Sequence, residues 1–214
     1  MYTVAIVGNG PSDLFPNLSK FQSEIDCWIG ADRGALSIIK NNIPLDYAVG
    51  DFDSVTSSEL ETIEEYAKSI ELFPIEKDQT DLELALSIAF SLNVTRIYFF
   101  GVTGGRMDHT LINIQLLNQI INQGIQGYII DKYNQLELFY PGTYTVTFDS
   151  LYPTISFIPI TREVIGLTLE GFYYPLTKAR IMMGSTLSIS NKLIRNNGTF
   201  SFEDGIVLVV RSRD

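Results

Sequence analysis

Short apolar runs alternate with stretches of helical periodicity through the first half of the chain, and the alternation stops near Gly127. Continuous β-branched and aromatic runs bounded by turn residues predict strands buried on both faces. Thr3 to Val7 is such a run and ends in Gly8-Asn9-Gly10-Pro11. Asp26 to Gly30 leads into Ala31-Asp32-Arg33-Gly34-Ala35 and an amphipathic helix to about Asn41, and Tyr47 to Val49 delivers Gly50-Asp51-Phe52-Asp53-Ser54. Thr56 and Glu59 form a capping box that opens a helix to about Lys68. Ile70 to Ile75 reads as strand, and Thr80 with Glu83 makes a second capping box for a helix to about Leu92. Arg96 to Phe100 is the next strand, followed by Gly101-Val102-Thr103-Gly104-Gly105-Arg106-Met107-Asp108-His109. Leu111, Ile114, Leu117 and Ile121 then form a core-facing stripe on a helix to about Asn122.

Beyond Gly127 no helix is predicted. Tyr128–Asp131, Leu136–Tyr140, Thr143–Phe148, Thr154–Ile160, Val164–Leu169, Ala179–Met183, Thr186–Ile194, Thr199–Phe202 and Ile206–Arg211 all read as short strands. Asn196-Asn197-Gly198 and Asp204-Gly205 are hairpin signals. A βα-alternating half followed by an all-β half predicts an α/β class protein. Its parts are an N-terminal Rossmann-like parallel-sheet domain over residues 1–130 and a C-terminal all-β sandwich over residues 131–214, with the change of texture between 125 and 142.

With 214 residues, 45% of them hydrophobic, the chain has ample material for packed cores. The net charge of −10 and the lack of any Lys/Arg cluster exclude a nucleic-acid phosphate binder. Met1-Tyr2-Thr3-Val4-Ala5 lacks a signal peptide's basic start, and no apolar run is long enough to span a bilayer. Cys27, the one cysteine, excludes an internal disulfide and fits a reducing, cytoplasmic setting; its apolar neighbours place it in the core.

Asp32, Asp51, Asp53 and Asp81 each stand at a predicted strand end or helix start, where open α/β sheets gather their ligands. Asp51 and Asp53 face one way if their segment is extended. The alternatives are a polar turn for this pair and a charge complementing the helix dipole for Asp81. Carboxylates gathered on one crest repel unless a cation compensates them, and an oxygen-dominated ligand set favours Mg²⁺. Gly104, Gly105 and Arg106 form a phosphate cradle or a merely tight turn, with Asp108 as an N-cap in the second case. His109, the only histidine, is a structural group or a base. Such a set suits phosphoryl or pyrophosphoryl transfer. A metal-dependent phosphatase of a small metabolite and a non-catalytic nucleotide sensor are the competing readings.

The segments Gly30-Ala31-Asp32-Arg33-Gly34, Gly50-Asp51-Phe52-Asp53-Ser54, Asp78-Gln79-Thr80-Asp81-Leu82-Glu83, Gly104-Gly105-Arg106-Met107-Asp108-His109 and Ser188-Ile189-Ser190-Asn191, in this order, closely resemble the thiamine pyrophosphokinase family. The resemblance implies a homodimer in which the thiamine hydroxyl attacks the β-phosphorus of ATP, giving thiamine diphosphate and AMP with Mg²⁺ required. It implies Asp51, Asp53 and Asp81 as metal and catalytic residues, with Arg106 and Asp108 at the reaction centre. Asp32, Gln79, Thr80, Gly104, Gly105 and His109 fall on the ATP side, and Ser188, Ser190 and Asn191 on the thiamine side. Trp28 lies in a predicted core strand, which leaves Phe172 to Tyr174 as candidates for stacking on the thiamine ring, with core packing the alternative.

Overall fold

The structure is a computed structural model describing residues 1–74, 76 and 78–214, and it divides into two compact units, Met1–Lys132 and Tyr133–Asp214. In the first unit β1 (Thr3–Val7), β2 (Cys27–Ala31), β3 (Leu45–Gly50), β4 (Ala67–Leu72), β5 (Arg96–Phe100) and β6 (Gln126–Ile130) pair in parallel in the order β4-β3-β2-β1-β5-β6. Val4, Ala5, Ile6 and Val7 are fully buried at the centre, which is why β1 shows no polar alternation. Between the strands run α1 (Gly34–Lys40), α2 (Ser57–Tyr66), α3 (Asp81–Ser91) and α4 (Met107–Asn122).

The capping box at the start of α2 is complete: the Thr56 side chain accepts from the Glu59 N–H, and Glu59 accepts from the Thr56 N–H. The one predicted for α3 is not. Thr80 accepts from the Glu83 N–H, but the Glu83 carboxylate accepts from Gln119 on α4 instead. Strand β4 starts at Ala67, earlier than its composition indicates, because pairing with Leu45 fixes Ala67 in an extended conformation. Ile75, the predicted end of this strand, lies outside the described residues.

Helix α4 begins at Met107, not Leu111. Its buried residues are Leu116, Leu117 and Ile120, while Leu111 is exposed. The predicted stripe is rotated because Leu117 and Ile120 close over Gly127 of β6, where any Cβ would come within 3.1 Å of both side chains.

The second unit holds β7 (Asn134–Phe139), β8 (Gly142–Thr147), β9 (Thr154–Pro159), β10 (Glu163–Glu170), β11 (Leu176–Met182), β12 (Asn197–Phe202) and β13 (Val207–Ser212). Here β13 pairs antiparallel with β7 and β9, and a separate antiparallel sheet has the order β11-β10-β12-β8. Residues of both sheets share one apolar core, in which Phe200 packs its ring 5.1 Å from each of Phe139, Tyr144 and Phe157.

Three strand-level expectations fail in this unit. Thr186–Ile194 is not a strand: it is an irregular segment touching its neighbours at the isolated bridges Ile155↔Asn191 and Phe172↔Leu193. Asn197-Gly198 lies inside β12, because Gly198 passes under Leu193 and a Cβ there would come 2.5 Å from that side chain. Asp204-Gly205 joins β12 to β13, which lie in different sheets, so it forms no hairpin.

Among the described residues no helix is long and apolar enough to cross a membrane. Cys27 is 2% exposed, and burial, with Asp46 nearby, pushes its thiol up to about 12. It reacts with a thiol reagent at mildly alkaline pH only after denaturant is added; stoichiometric modification of the native protein would contradict this packing. Phe200→Ala lowers the unfolding free energy, read from urea titration, by about 3–5 kcal/mol, because a buried ring leaves a cavity its neighbours only partly fill.

Candidate active site

At the carboxyl ends of the parallel strands, the segment after β1 is fastened to the segment after β5. The Gly8 N–H donates to the Phe100 carbonyl at 2.8 Å and the Gly10 N–H to the Gly101 carbonyl at 2.7 Å. No side chain fits between them: a Cβ on Gly10 would lie 2.7 Å from the Gly101 oxygen. Gly34, at the start of α1, is more confined still, since its Cβ would sit 1.9 Å from the Val7 oxygen. These contacts leave a cleft of about 630 Å³ lined by residues 8–11 and 101–105.

The carboxylates arrive from the other strands. Asp32 follows β2 and Asp81 opens α3, and both line the cleft together with Thr80, Gly104, Gly105, Arg106 and His109. Asp81 reaches in close to β3, with its Oδ1 3.3 Å from the position a Gly50 Cβ would take. Asp32 accepts from the Ser54 hydroxyl through Oδ2, while Oδ1 is buried without a hydrogen-bond partner among the described residues. Asp51 and Asp53 stand beyond the end of β3 and do not line the cleft. Phe52 between them is buried, and Asp51 Oδ1 accepts from the Asp53 N–H at 3.1 Å, so the segment is turned rather than extended. Asp51, and more weakly Asp32 and Asp81, raise the Asp53 carboxyl above its usual range.

Among the described residues no three acidic, histidine or cysteine side chains already stand as a metal-ligating set. The oxygen donors and the unpartnered Asp32 Oδ1 nevertheless fit a hard cation such as Mg²⁺, which would relieve the repulsion felt by Asp53.

The glycine-rich segment after β5 is braced by side-chain hydrogen bonds. Thr103 donates to the buried Asp131 at 2.8 Å, and the Asn113 amide donates to the Val102 carbonyl at 2.8 Å. Asp108 is not the N-cap of α4 but lies in its first turn, and Arg106 holds the cap position. The Arg106 guanidinium reaches over to Asp108 through Nε at 3.2 Å and Nη2 at 2.6 Å, which holds the Asp108 carboxyl down at about 2. His109 and Gln79 are exposed; His109 lines the cleft and Gln79 does not.

In the second unit the residues Ser188, Ser190 and Asn191 divide. Ser188 and Asn191 are buried, at 1% and 2% exposure. The Ser188 hydroxyl donates to the Phe157 carbonyl at 2.6 Å, and the Asn191 amide both accepts from the Tyr174 N–H and donates to the Tyr174 carbonyl. Ser190 is exposed. Of the stacking candidates, Phe172 is fully buried whereas Tyr173 and Tyr174 are exposed.

Lining residues without a local signature of a site include Asn9, Pro11, Ala31 and Leu82, and Asn113, which both lines the cleft and braces the loop. The strand-then-glycine pattern at Gly8-Asn9-Gly10-Pro11 marks only the opening of the domain; nothing local marks Asn113.

Glycines, a guanidinium and carboxylates around one cleft at strand carboxyl ends define an α/β protein of the phosphate-handling class. Two family models match it: "Thiamin pyrophosphokinase, catalytic domain" over residues 18–129 and "Thiamin pyrophosphokinase, vitamin B1 binding domain" over residues 143–207. The chain is 45% identical over 214 residues to the thiamine pyrophosphokinase of Bacillus subtilis strain 168, covering 100% of both proteins. The crystal structure of thiamine pyrophosphokinase from Bacillus subtilis superposes with a TM-score of 0.94 at 44% identity, covering 99% of each chain. That of the Enterococcus faecalis family protein gives 0.91 at 30% identity over 100% of each. Thiamin pyrophosphokinase from Candida albicans shares the fold, with a TM-score of 0.84 at 18% identity over 99% of this chain and 89% of that one. The chain belongs to the thiamin pyrophosphokinase family.

The Arg106–Asp108 pair gives a titration with a definite sign. A carboxyl lowered in the folded state contributes stability above its unfolded value and loses it as pH falls through the folded one. For two exposed side chains that contribution is small. Carboxyl-carbon NMR should therefore find Asp108 titrating near 2. In Arg106→Gln its midpoint should move up to the ordinary carboxylate range, and a midpoint unmoved by the substitution would mean the pair is absent in solution.

Proposed function

We infer that this chain transfers the pyrophosphoryl group of ATP to the hydroxyl of thiamine, giving thiamine diphosphate and AMP in thiamine diphosphate biosynthesis. The carrying observation is the glycine-walled cleft that gathers Asp32, Asp81 and Arg106, in a chain matched by both the catalytic and the vitamin-binding family models. The thiamine hydroxyl gives up its proton as its oxygen attacks the β-phosphorus, and the bond from that phosphorus to the α–β bridging oxygen breaks to release AMP. Backbone N–H groups and Arg106 take the phosphates, where pre-aimed donors stabilise developing charge.

We read the α/β unit as Rossmann-like, because the order β4-β3-β2-β1-β5-β6 sets β1 and β5 side by side as a topological switch point with the cleft above it. Residues 1–130 then form the ATP- and metal-binding domain and residues 131–214 the thiamine-binding domain. Asp51, Asp53 and Asp81 hold Mg²⁺, with Asp32 beside them; when bound, the ion neutralises the polyphosphate and orients it. Thr80, Gly104, Gly105 and His109 contact ATP, Gln79 follows from the neighbouring loop, and Asp108 fixes Arg106. Ser190 meets thiamine directly, while Ser188 and Asn191 shape its side by fixing backbone. A homodimer and a cytoplasmic setting complete the proposal, supported by the family resemblance and by the single buried thiol.

Phosphorus NMR of the protein with ATP, Mg²⁺ and thiamine tests this reading. AMP and thiamine diphosphate appear together and EDTA stops both; ADP or free phosphate instead would assign a kinase or hydrolase. Asp51→Ala and Asp53→Ala each abolish turnover while circular dichroism and the unfolding midpoint stay unchanged. Near-normal turnover in either would remove that residue from the metal set.

A further inference from the structure

The acidic crest is held by a cation that does not reach the cleft. Arg33 follows Asp32 directly, yet its side chain turns away from the cleft lining. Nη1 donates to the Ser54 carbonyl at 2.8 Å, and Nη2 donates to Glu59 Oε1 at 2.5 Å. Glu59 uses its other oxygen to accept from the Thr56 N–H at 2.9 Å, so Arg33 is attached to the first turn of α2. The Ser54 hydroxyl closes the circuit by donating to Asp32 Oδ2 at 2.5 Å. A ring of polar contacts thus runs from Asp32 through Arg33 and Glu59 to the start of α2, and back along the β3–α2 loop to Asp32.

That ring spans the loop that carries Asp51 and Asp53. The loop from Asp51 to Thr56 lies outside helix and strand, carries two of the mutually repelling carboxylates, and contains Phe52 at φ +55°. Asp32, on the opposing loop, sits at φ +49°. Non-glycine residues take this conformation only where their surroundings hold them there. The buried Phe52 ring and the Arg33 fork contribute to this, beside the backbone bonds from Asp32 N–H to the Val49 carbonyl and from Val55 N–H to the Phe52 carbonyl. The fork matters because a guanidinium presents several donors in one plane and grips acceptors on two elements at once, which a lysine ammonium on a flexible stem does not do as well.

We propose that Arg33 is a positioning residue, clamping the Asp51–Asp53 loop and Asp32 into one arrangement through Ser54 and Glu59 so that the carboxylates meet a divalent cation together. This rests on the reading of those carboxylates as metal ligands. Groups that orient metal ligands typically contribute about 10–100-fold in affinity or activity when removed.

The test measures Mn²⁺ binding without substrates, by electron paramagnetic resonance, alongside steady-state kinetics. Arg33→Gln weakens Mn²⁺ binding about tenfold and lowers kcat comparably. The KM for thiamine and the thermal midpoint stay at wild-type values. Arg33→Lys recovers only part of the loss, and Glu59→Gln, which keeps the capping arrangement, shows a smaller loss of the same kind. Unchanged Mn²⁺ affinity in Arg33→Gln overturns the proposal. So does a raised KM for ATP with unchanged metal affinity, which would make Arg33 a nucleotide contact, and so does full activity and metal affinity in Arg33→Lys. If Arg33→Gln does not fold, Arg33→Lys and Glu59→Gln decide instead: unchanged Mn²⁺ affinity in both overturns the proposal. A wild-type protein that releases no AMP, but whose Mn²⁺ affinity still falls in Arg33→Gln, overturns the proposed reaction and supports the clamp. A wild-type protein that binds no Mn²⁺ overturns the clamp.

Discussion

The site depends on how closely two backbones approach at the top of the central strands. Hydrogen bonds from Gly8 and Gly10 to Phe100 and Gly101 lock the β1 and β5 loops together, and Gly34 lets α1 start directly against Val7. Each contact is possible because a side chain is missing. The cleft at this contact is lined in good part by glycines, where polyphosphate oxygens can approach the main chain closely. The same packing fixes where β2 and α3 place Asp32 and Asp81.

Electrostatics work against this geometry. A chain of net charge −10 concentrates carboxylates at the edge where an anionic nucleotide is to bind. The nearby arginines do not cancel them: Arg106 is paired with Asp108 and Arg33 with Glu59. Asp53, raised by its acidic neighbours, registers the remaining repulsion. The molecule holds its acidic loops in part by packing Phe52 and by a polar ring around Asp32.

The β unit uses polar residues differently. Ser188 and Asn191 look like ligand contacts in a linear motif, but their hydroxyl and amide are bonded to backbone at Phe157 and Tyr174. They give an irregular segment the hydrogen bonds that a strand would have obtained from a ladder, as buried polar groups require. Their neighbours Ser190, Tyr173 and Tyr174 are the ones left exposed.

By itself the sequence determined the succession of elements and the class of chemistry. Continuous apolar runs such as Val4 to Val7 have no polar face and form buried parallel strands, and Thr56 with Glu59 caps the start of α2, because both signals are local. The recurrence of Asp after strand ends pointed to the crest for the same reason. Tertiary structure decided which face of α4 is buried, because Gly127 of β6 makes room for Leu117 and Ile120. It also decided that Thr186–Ile194 forms bridges and no strand, and that Arg33 clamps Ser54 and Glu59 instead of lining the cleft. Those outcomes depend on partners 21 and 26 positions away for Arg33, and on which backbone passes beneath which side chain, information that no local pattern carries.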